Sequence, residues 1–418
     1  MNRNYIHPAD QLVLYMQRIY DKGLTTTSGG NLSVMDEDGN IWITPAAIDK
    51  GALTRDDIVC VKADGTTVGR HRPSSELPFH RAVYRMRPDL KAVLHAHPPA
   101  LVSFSVARKL PNLDLLPAAR AICPEMRIAA YAVPGSELLG RNISRQFEDH
   151  CNLVLLENHG ICIGAKDLYT AFLQFETLEY VAKLEILANR IGKPKAISEQ
   201  GNTDRALFEK QELSAQDSDA ARELISLIRR GHRLGLFSIA QVSYSVRLPD
   251  ESFLITPSGM DPADTREDEL IRINACGNDF PGFAALHAMI YRQHPEINSV
   301  LMARPVHAMA FAVTDAEFDT RVIPESYVLL RDVQRMKFGA RERNPEEAAA
   351  CFSEITPAAI MEHDCVIVTG NSALQAFDRL EVMELTARAI MDTGLIGRIV
   401  DITEDEIEDI KAAFHLKG

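Results

Sequence analysis

Leu94-His95-Ala96-His97-Pro98 is the stretch on which the reading of this chain turns. In an extended strand, residues i and i+2 project from the same side. His95 and His97 therefore offer two imidazoles to one space. Glu76 stands nineteen residues before His95, in Ser74-Ser75-Glu76, and His159 comes sixty-two residues after His97, in Glu157-Asn158-His159-Gly160. His159 follows the apolar run Leu153–Leu156 and precedes Ile161–Ile163. That places it at a strand end beside a glycine, where an imidazole can point into a cleft. Three histidine ligands with an open fourth position describe a catalytic rather than a structural divalent metal site. Glu76 is then the candidate acid/base. Alone, His-x-His reads equally well as two ordinary strand histidines; the third histidine and the glutamate favour the metal.

Working outward, Ser74-Ser75-Glu76 immediately precedes a predicted helix, Leu77–Met86. Helix N-termini carry unpaired N–H groups and a positive dipole, so the serines read either as plain caps or as an anion cradle. Gly30-Asn31 reads either as a loop that needs glycine or as a close backbone approach with an amide donor. Five motifs now stand in order: Gly30-Asn31-Leu32-Ser33, Ile43-Thr44-Pro45, Pro73-Ser74-Ser75-Glu76, His95-Ala96-His97-Pro98 and Asn158-His159-Gly160. In this order they resemble the class II aldolase/adducin family, which includes fuculose-1-phosphate and rhamnulose-1-phosphate aldolases. The resemblance spans residues 8–192.

The resemblance implies one Zn2+ per chain on His95, His97 and His159; Mn2+ or Co2+ suits the same donors. It implies proton transfer by Glu76 and substrate binding by Gly30, Asn31, Thr44, Ser74 and Ser75. The implied reaction is that of a zinc-dependent aldehyde-lyase, cleaving a small phosphorylated sugar by a retro-aldol route through a metal-stabilised enediolate. Metal-dependent decarboxylation or dehydration, and an adducin-like structural module without catalysis, stand as alternatives. Two departures bear on the choice. Thr44-Pro45-Ala46-Ala47 lacks the hydroxyl residue and glycine that usually follow the proline, whereas Thr256-Pro257-Ser258-Gly259 keeps them. The family's catalytic tyrosine has no counterpart in Leu115–Ala121, whereas Tyr327 lies in the matching stretch Ile323-Pro324-Glu325-Ser326-Tyr327. Tyr327 reads as a packed aromatic or as the missing proton donor.

These last matches reflect an internal repeat. Gly23-Leu24 and Ile43-Thr44-Pro45 recur at an offset of 212. His80, Tyr84-Arg85, Pro88, Leu94, Pro98 and Phe104 recur at an offset of 207, and Ala171-Phe172, Glu176 and Glu179 at 205. The site positions do not recur. By the same offsets Asn31 becomes Ser243, Ser74-Ser75-Glu76 becomes Pro281-Gly282-Phe283, His95 becomes Met302, His97 becomes Arg304 and His159 becomes Asp364. The expectation is an α/β protein of two tandem three-layer α/β/α class II aldolase-like domains. Residues 1–200 form the metal-dependent copy, 201–218 a polar linker with a helix over Arg205–Leu213, and 219–418 a degenerate copy without metal ligands. Since the family forms cyclic tetramers, the resemblance implies a homodimer whose four domains close a ring.

At 418 residues the chain is long enough for two full cores. A net charge of −13 speaks against nucleic-acid and anionic-membrane partners. No apolar stretch approaches about 20 residues, so no membrane span is expected. The N-terminus shows no secretory h-region. Seven cysteines without a Cys-x-x-Cys pair suit a reduced, cytoplasmic protein, with Cys60, Cys162 and Cys365 as core residues. In the first copy, Pro8 starts a helix facing inward through Leu12, Tyr15, Met16 and Ile19. Asn31–Val34, Ile41–Thr44, Ala92–His95, Leu153–Leu156 and Ile161–Ile163 read as strands. Ala100–Ala107 and Asp167–Ile191 read as helices, with Asp167 as the cap of the second.

Overall fold

The computed structural model describes residues 6–199, 217–238, 242–274 and 282–416. Contacts divide it into two compact units, Met1–Leu113 with Ala119–Lys183, and Asp114–Ala118 with Leu184–Gly418. The helix expected over Arg205–Leu213 lies outside the described residues.

The chain begins with α1 (Pro8–Asp21), β1 (Asn31–Met35), β2 (Ile41–Ile43), β3 (Val59–Val61), β4 (Thr67–Val68), α2 (Leu77–Met86) and β5 (Ala92–Ala96). It continues with α3 (Pro99–Ala107), α4 (Pro117–Ile122), β6 (Met126–Ala129), α5 (Glu137–Gln146), β7 (Leu153–Leu156), β8 (Gly160–Ala165) and α6 (Leu168–Ile191). The first sheet runs β4-β3-β2-β1-β5-β8-β7-β6, antiparallel except for the β6–β7 pair. Its two faces are covered by different helices. Val93, Val154 and Cys162 bury against Phe79 and Val83 of α2 and Leu139 and Ile143 of α5. Their strand neighbours point the other way, where α1 and α6 meet through Tyr15 and Phe172 (ring centroids 5.1 Å apart).

Local signals explain the elements. Pro8 opens α1, the His7 imidazole accepts the Ala9 N–H, and Leu12, Tyr15, Met16 and Ile19 are buried. Asp167 caps α6, accepting the Thr170 N–H at 2.7 Å, and Leu168, Ala171, Phe172, Phe175, Leu178 and Ala182 are buried beneath it. The serines before α2 behave differently from plain caps. Glu76 holds the N-cap position, and the Ser74 hydroxyl accepts the N–H of Glu76 itself at 3.2 Å. The tight turn uses up that oxygen before the helix begins.

The second unit contains α7 (Asp217–Arg233), β9 (Val242–Arg247), β10 (Phe253–Ile255), β11 (Ile271–Ile273), α8 (Gly282–Gln293), β12 (Ser299–Ala303) and α9 (Val306–Ala312). After these come α10 (Pro324–Leu330), β13 (Val333–Met336), α11 (Ala340–Arg343), α12 (Pro345–Ala350), β14 (Ala358–Met361), β15 (Cys365–Gly370), α13 (Ala373–Ile396) and α14 (Glu404–Ala413). Its sheet runs β11-β10-β9-β12-β15-β14-β13, the first sheet's order without β4, and its one parallel pair, β13–β14, lies at the edge that matches β6–β7. Residue register repeats too. Asn31 pairs with His95 and His95 with Cys162; Ser243 pairs with Met302 and Met302 with Ile367. These are the partners that the offsets 212, 207 and 205 require. Both units are three-layer α/β/α domains of one topology. Among the described residues no helix is long and apolar enough to cross a membrane, and all six described cysteines are free.

Candidate active site

Three strand ends of the first unit bring the histidines together. His95 lies in β5, paired with β1 and β8, and is fully buried. His97 follows two residues later, past the strand end. His159 sits in the β7–β8 turn, where its N–H returns to the Leu156 carbonyl at 3.1 Å. Asn158 takes a left-handed φ of 54° in that turn, which asparagine tolerates better than most residues. The ring centroids stand 4.8 Å (His95–His97), 4.8 Å (His95–His159) and 4.9 Å (His97–His159) apart. One nitrogen from each lies within 4.8 Å of the others.

The protonation states suit a cation. His95 Nδ1 lies 2.9 Å from the Ile161 carbonyl oxygen. It must donate there, which leaves Nε2 bare and facing the cluster. Burial, with the neighbouring His159, pushes the His95 pKa down to about 3. Burial, with His95 and His159, does the same to His97. Burial lowers His159 as well, against the opposing charge of Glu76. Three imidazoles that stay neutral at pH 7 are metal donors. Nε2 of His95 and of His97 are 3.0 Å apart, close to the ~3.3 Å that tetrahedral zinc with bonds of about 2.0 Å imposes. The donor set fits a divalent ion such as zinc.

Glu76 borders this cluster, 93% of its surface buried. Its Oε2 accepts the Asn31 side-chain N–H at 2.7 Å and lies 3.3 Å from His95 Nε2. Its Oε1 is 3.8 Å from His159 Nε2 and has no hydrogen-bond partner among the described residues. A buried carboxylate oxygen without a partner is costly to maintain and is expected where chemistry needs it.

The expected anion-binding residues surround the same corner. Gly30 has a φ of +69°, and a Cβ there would meet the His95 carbonyl at 2.8 Å, so only glycine fits. Ser74 is buried and Ser75 exposed. The Thr44 hydroxyl accepts the Leu32 N–H at 3.2 Å, and Thr256 holds the Tyr244 N–H in the same way at 3.0 Å. That contact belongs to the fold of both units. Ala47 adopts a φ of 55° where Gly259 has +73°, so the alanine carries a left-handed backbone that its counterpart's glycine adopts freely. Tyr327 is half-buried on α10, with the Arg331 guanidinium 5.6 Å from its ring centre.

Three buried residues lie behind Asn31: Ser33, which ends the Gly30-Asn31-Leu32-Ser33 motif, and His80 and Tyr84. His80 Nε2 lies 2.5 Å from Asn31 Oδ1, His80 Nδ1 lies 2.7 Å from the Ser33 hydroxyl, and that hydroxyl lies 2.8 Å from the Tyr84 hydroxyl. The recurrence of His80 and Tyr84 at offset 207 was their one sequence signal, and it marks fold as readily as function.

In the second unit the corresponding corner holds an ion pair. Arg304 Nη2 lies 3.0 Å from Asp364 Oδ1, and Arg341 Nε lies 2.6 Å from Asp364 Oδ2. Burial opposes the Asp364 charge, but the Arg341 and Arg304 guanidiniums hold its pKa below the usual carboxylate range. Among the described residues the His95–His97–His159 group is the one cluster with metal-ligand geometry.

Known proteins are similar to parts of this chain. The chain is 33% identical over 193 residues to a 5-deoxy-D-ribulose 1-phosphate aldolase of Bacillus thuringiensis serovar kurstaki, covering 46% of this chain and 89% of that protein. It is 32% identical over 172 residues to a 3-oxo-tetronate 4-phosphate decarboxylase of Haemophilus influenzae, covering 40% of this chain and 80% of that protein. Among solved structures, an L-fuculose 1-phosphate aldolase matches at 33% identity and a TM-score of 0.42, over 46% of this chain and 91% of that one. The model of the class II aldolase and adducin N-terminal domain matches twice, over residues 10–186 and 222–391, and the protein therefore belongs to the class II aldolase/adducin family.

Proposed function

We propose that the protein is a zinc-dependent aldehyde-lyase that cleaves a small phosphorylated sugar by a retro-aldol reaction. The observation that carries this reading is the bare Oε1 of Glu76 beside three neutral imidazoles. His95, His97 and His159 would hold one ion per chain, which when bound supplies Lewis acidity toward a substrate carbonyl. Gly30, Asn31, Thr44, Ser74 and Ser75 would bind the phosphorylated end; the Ser75 hydroxyl and the second N–H of the Asn31 amide are the groups least engaged internally. In the aldol direction the Glu76 carboxylate takes a proton from the carbon of the ketone fragment through Oε1, and that carbon's electron pair forms the bond to the aldehyde carbon. The resulting alkoxide takes a proton from a second group, for which Tyr327 of the second copy is proposed; cleavage runs the same two transfers backwards. We place the reaction in the cytoplasm, in line with the free cysteines, and in a homodimer whose four domains form a ring.

A decarboxylase is the second reading. It is favoured by the relative with that activity and by the lack of a tyrosine in Leu115–Ala121. Product analysis separates the two: zinc-loaded protein offered phosphorylated ketoses and keto acids should release an aldehyde from the former and no CO2 from the latter. Glu76→Gln should keep one zinc per chain and lose about 10²–10⁴-fold in kcat. Turnover within a few-fold of wild type would remove Glu76 from the chemistry.

A further inference from the structure

The buried chain behind Glu76 has a direction. The Asn31 amide donates through its NH2 to Glu76 Oε2. Its carbonyl oxygen then faces His80 Nε2, which must carry a proton. A neutral ring with Nε2–H has a bare Nδ1, which accepts from the Ser33 hydroxyl. The Ser33 oxygen in turn accepts from Tyr84. Each donor is used once, and His80 and Ser33 are both fully buried. Reversing the His80–Ser33 link leaves His80 Nε2 bare against the Asn31 carbonyl oxygen, so the Asn31 amide must turn with it.

We propose that Tyr84, Ser33 and His80 form a positioning relay that locks the Asn31 amide, occupies Glu76 Oε2 and leaves Oε1 as the one oxygen that moves the proton. The catalytic part of this claim rests on the reading of Glu76 above. The second unit supplies a control. Ser245 lies 2.7 Å from His287 Nδ1 and 2.6 Å from the Tyr291 hydroxyl, and His287 Nε2 meets Ser243 at 3.0 Å. The same triad therefore exists where asparagine is replaced by serine and glutamate by phenylalanine. There it only joins helix to sheet. In the first unit it also orients a functional amide. Networks of this kind behave as units, and misdirecting one member costs more than one hydrogen bond.

The test pairs Ser33→Ala with Ser245→Ala in the zinc-loaded full chain. Nitrogen-15 NMR of the histidine rings reads the tautomer, and steady-state kinetics separates kcat from KM. Wild-type His80 should be wholly in the Nε2–H form. Ser33→Ala should populate the Nδ1–H form and lower kcat at least tenfold, with KM within twofold and zinc content unchanged. Ser245→Ala should leave kcat at the wild-type value. Tyr84→Phe, which removes one hydroxyl and keeps the ring, should give a smaller fall in kcat and serves if Ser33→Ala fails to fold. An Nδ1–H tautomer in the wild type overturns the relay whatever the activity. Unchanged kcat in Ser33→Ala and Tyr84→Phe, or an equal loss in Ser245→Ala, overturns the positioning role. A protein with no turnover on any phosphorylated ketose, yet with the Nε2–H tautomer, would refute the lyase reading and spare the hydrogen-bond relay.

Discussion

At the scale of single residues, the site depends on what is missing as much as on what is present. A methyl group on Gly160 would lie 2.5 Å from the Ala96 carbonyl and 2.7 Å from His97 Cδ2, so any other residue there displaces a proposed ligand. Buried histidines also set the acid sensitivity of the whole chain. His287 is fully buried, and burial, with the nearby Arg341, pushes its pKa down to about 3. A base depressed in the folded state is neutral in both states above pH 6.5. As pH falls below 6.5 the unfolded chain takes the proton that the folded chain refuses, and stability is lost until about pH 3. The loss is ~1.4 kcal/mol per pH unit, or roughly 2 kcal/mol between pH 6.5 and 5. Urea titrations should show that His287→Gln loses about 2 kcal/mol less than wild type over this interval. Equal losses would mean that His287 does not titrate differently on folding. The histidines of the first unit were legible as candidate ligands because their spacing has a chemical meaning. His80 was not, because nothing local links it to Ser33 or Asn31; only the sheet brings β1 under α2.

At the scale of elements, the two copies show what the fold demands apart from chemistry. Glu179 of α6 reaches the start of α3 and accepts the Ala100 and Leu101 N–H groups, both at 2.9 Å. Glu384 of α13 does the same for α9, accepting the His307 N–H at 3.1 Å and the Ala308 N–H at 2.9 Å. Neither α3 nor α9 has a side-chain cap of its own, and proline leads into each, so a carboxylate from another helix takes the role. Burial pushes the Glu179 pKa up to about 6 even so, which shows how far it sits from water. Glu179→Ala and Glu384→Ala should each destabilise by about 1–3 kcal/mol, since two buried donors lose their acceptor. Equal melting temperatures for the variants and wild type would show that these contacts add nothing. The recurrence of Glu179 is visible in the sequence as an offset of 205. β6 and α5 were not singled out. Arg127 breaks the apolar run of one, and the other is mostly polar, so periodicity alone gives little signal. For the serines before α2 the sequence leaves caps and an anion cradle both open, because it cannot show that the turn before the helix engages the Ser74 oxygen.

At the scale of the molecule, one copy holds three histidines that could bind a metal ion, and in the other the corresponding corner is occupied by the protein's own charges. Arg304 stands where the offset places His97, and Asp364 where it places His159, each on the matching strand end or turn. His363 even repeats the left-handed backbone of Asn158, at a φ of 56°. A guanidinium bound to a buried carboxylate supplies locally the positive charge that an ion would bring, and it needs no metal. The two units should therefore respond differently to chelation. An ion that binds only the folded state stabilises by RT ln(1 + [M]/Kd), about 4 kcal/mol when free metal exceeds Kd a thousandfold. That stabilisation should be confined to the first unit. Elemental analysis should give one zinc per chain, not two. Stripping it should raise amide exchange in peptides covering residues 92–98 and 153–165 and leave residues 299–304 and 358–370 as protected as before. Uniform deprotection of both sets, or two ions per chain, would mean that the second copy still depends on metal. Arg304→Ala supplies the converse arm. It leaves the Asp364 carboxylate buried with half its partners, a loss of about 3–5 kcal/mol in comparable ion pairs, and should deprotect residues 299–304 and 358–370 while zinc stays at one per chain.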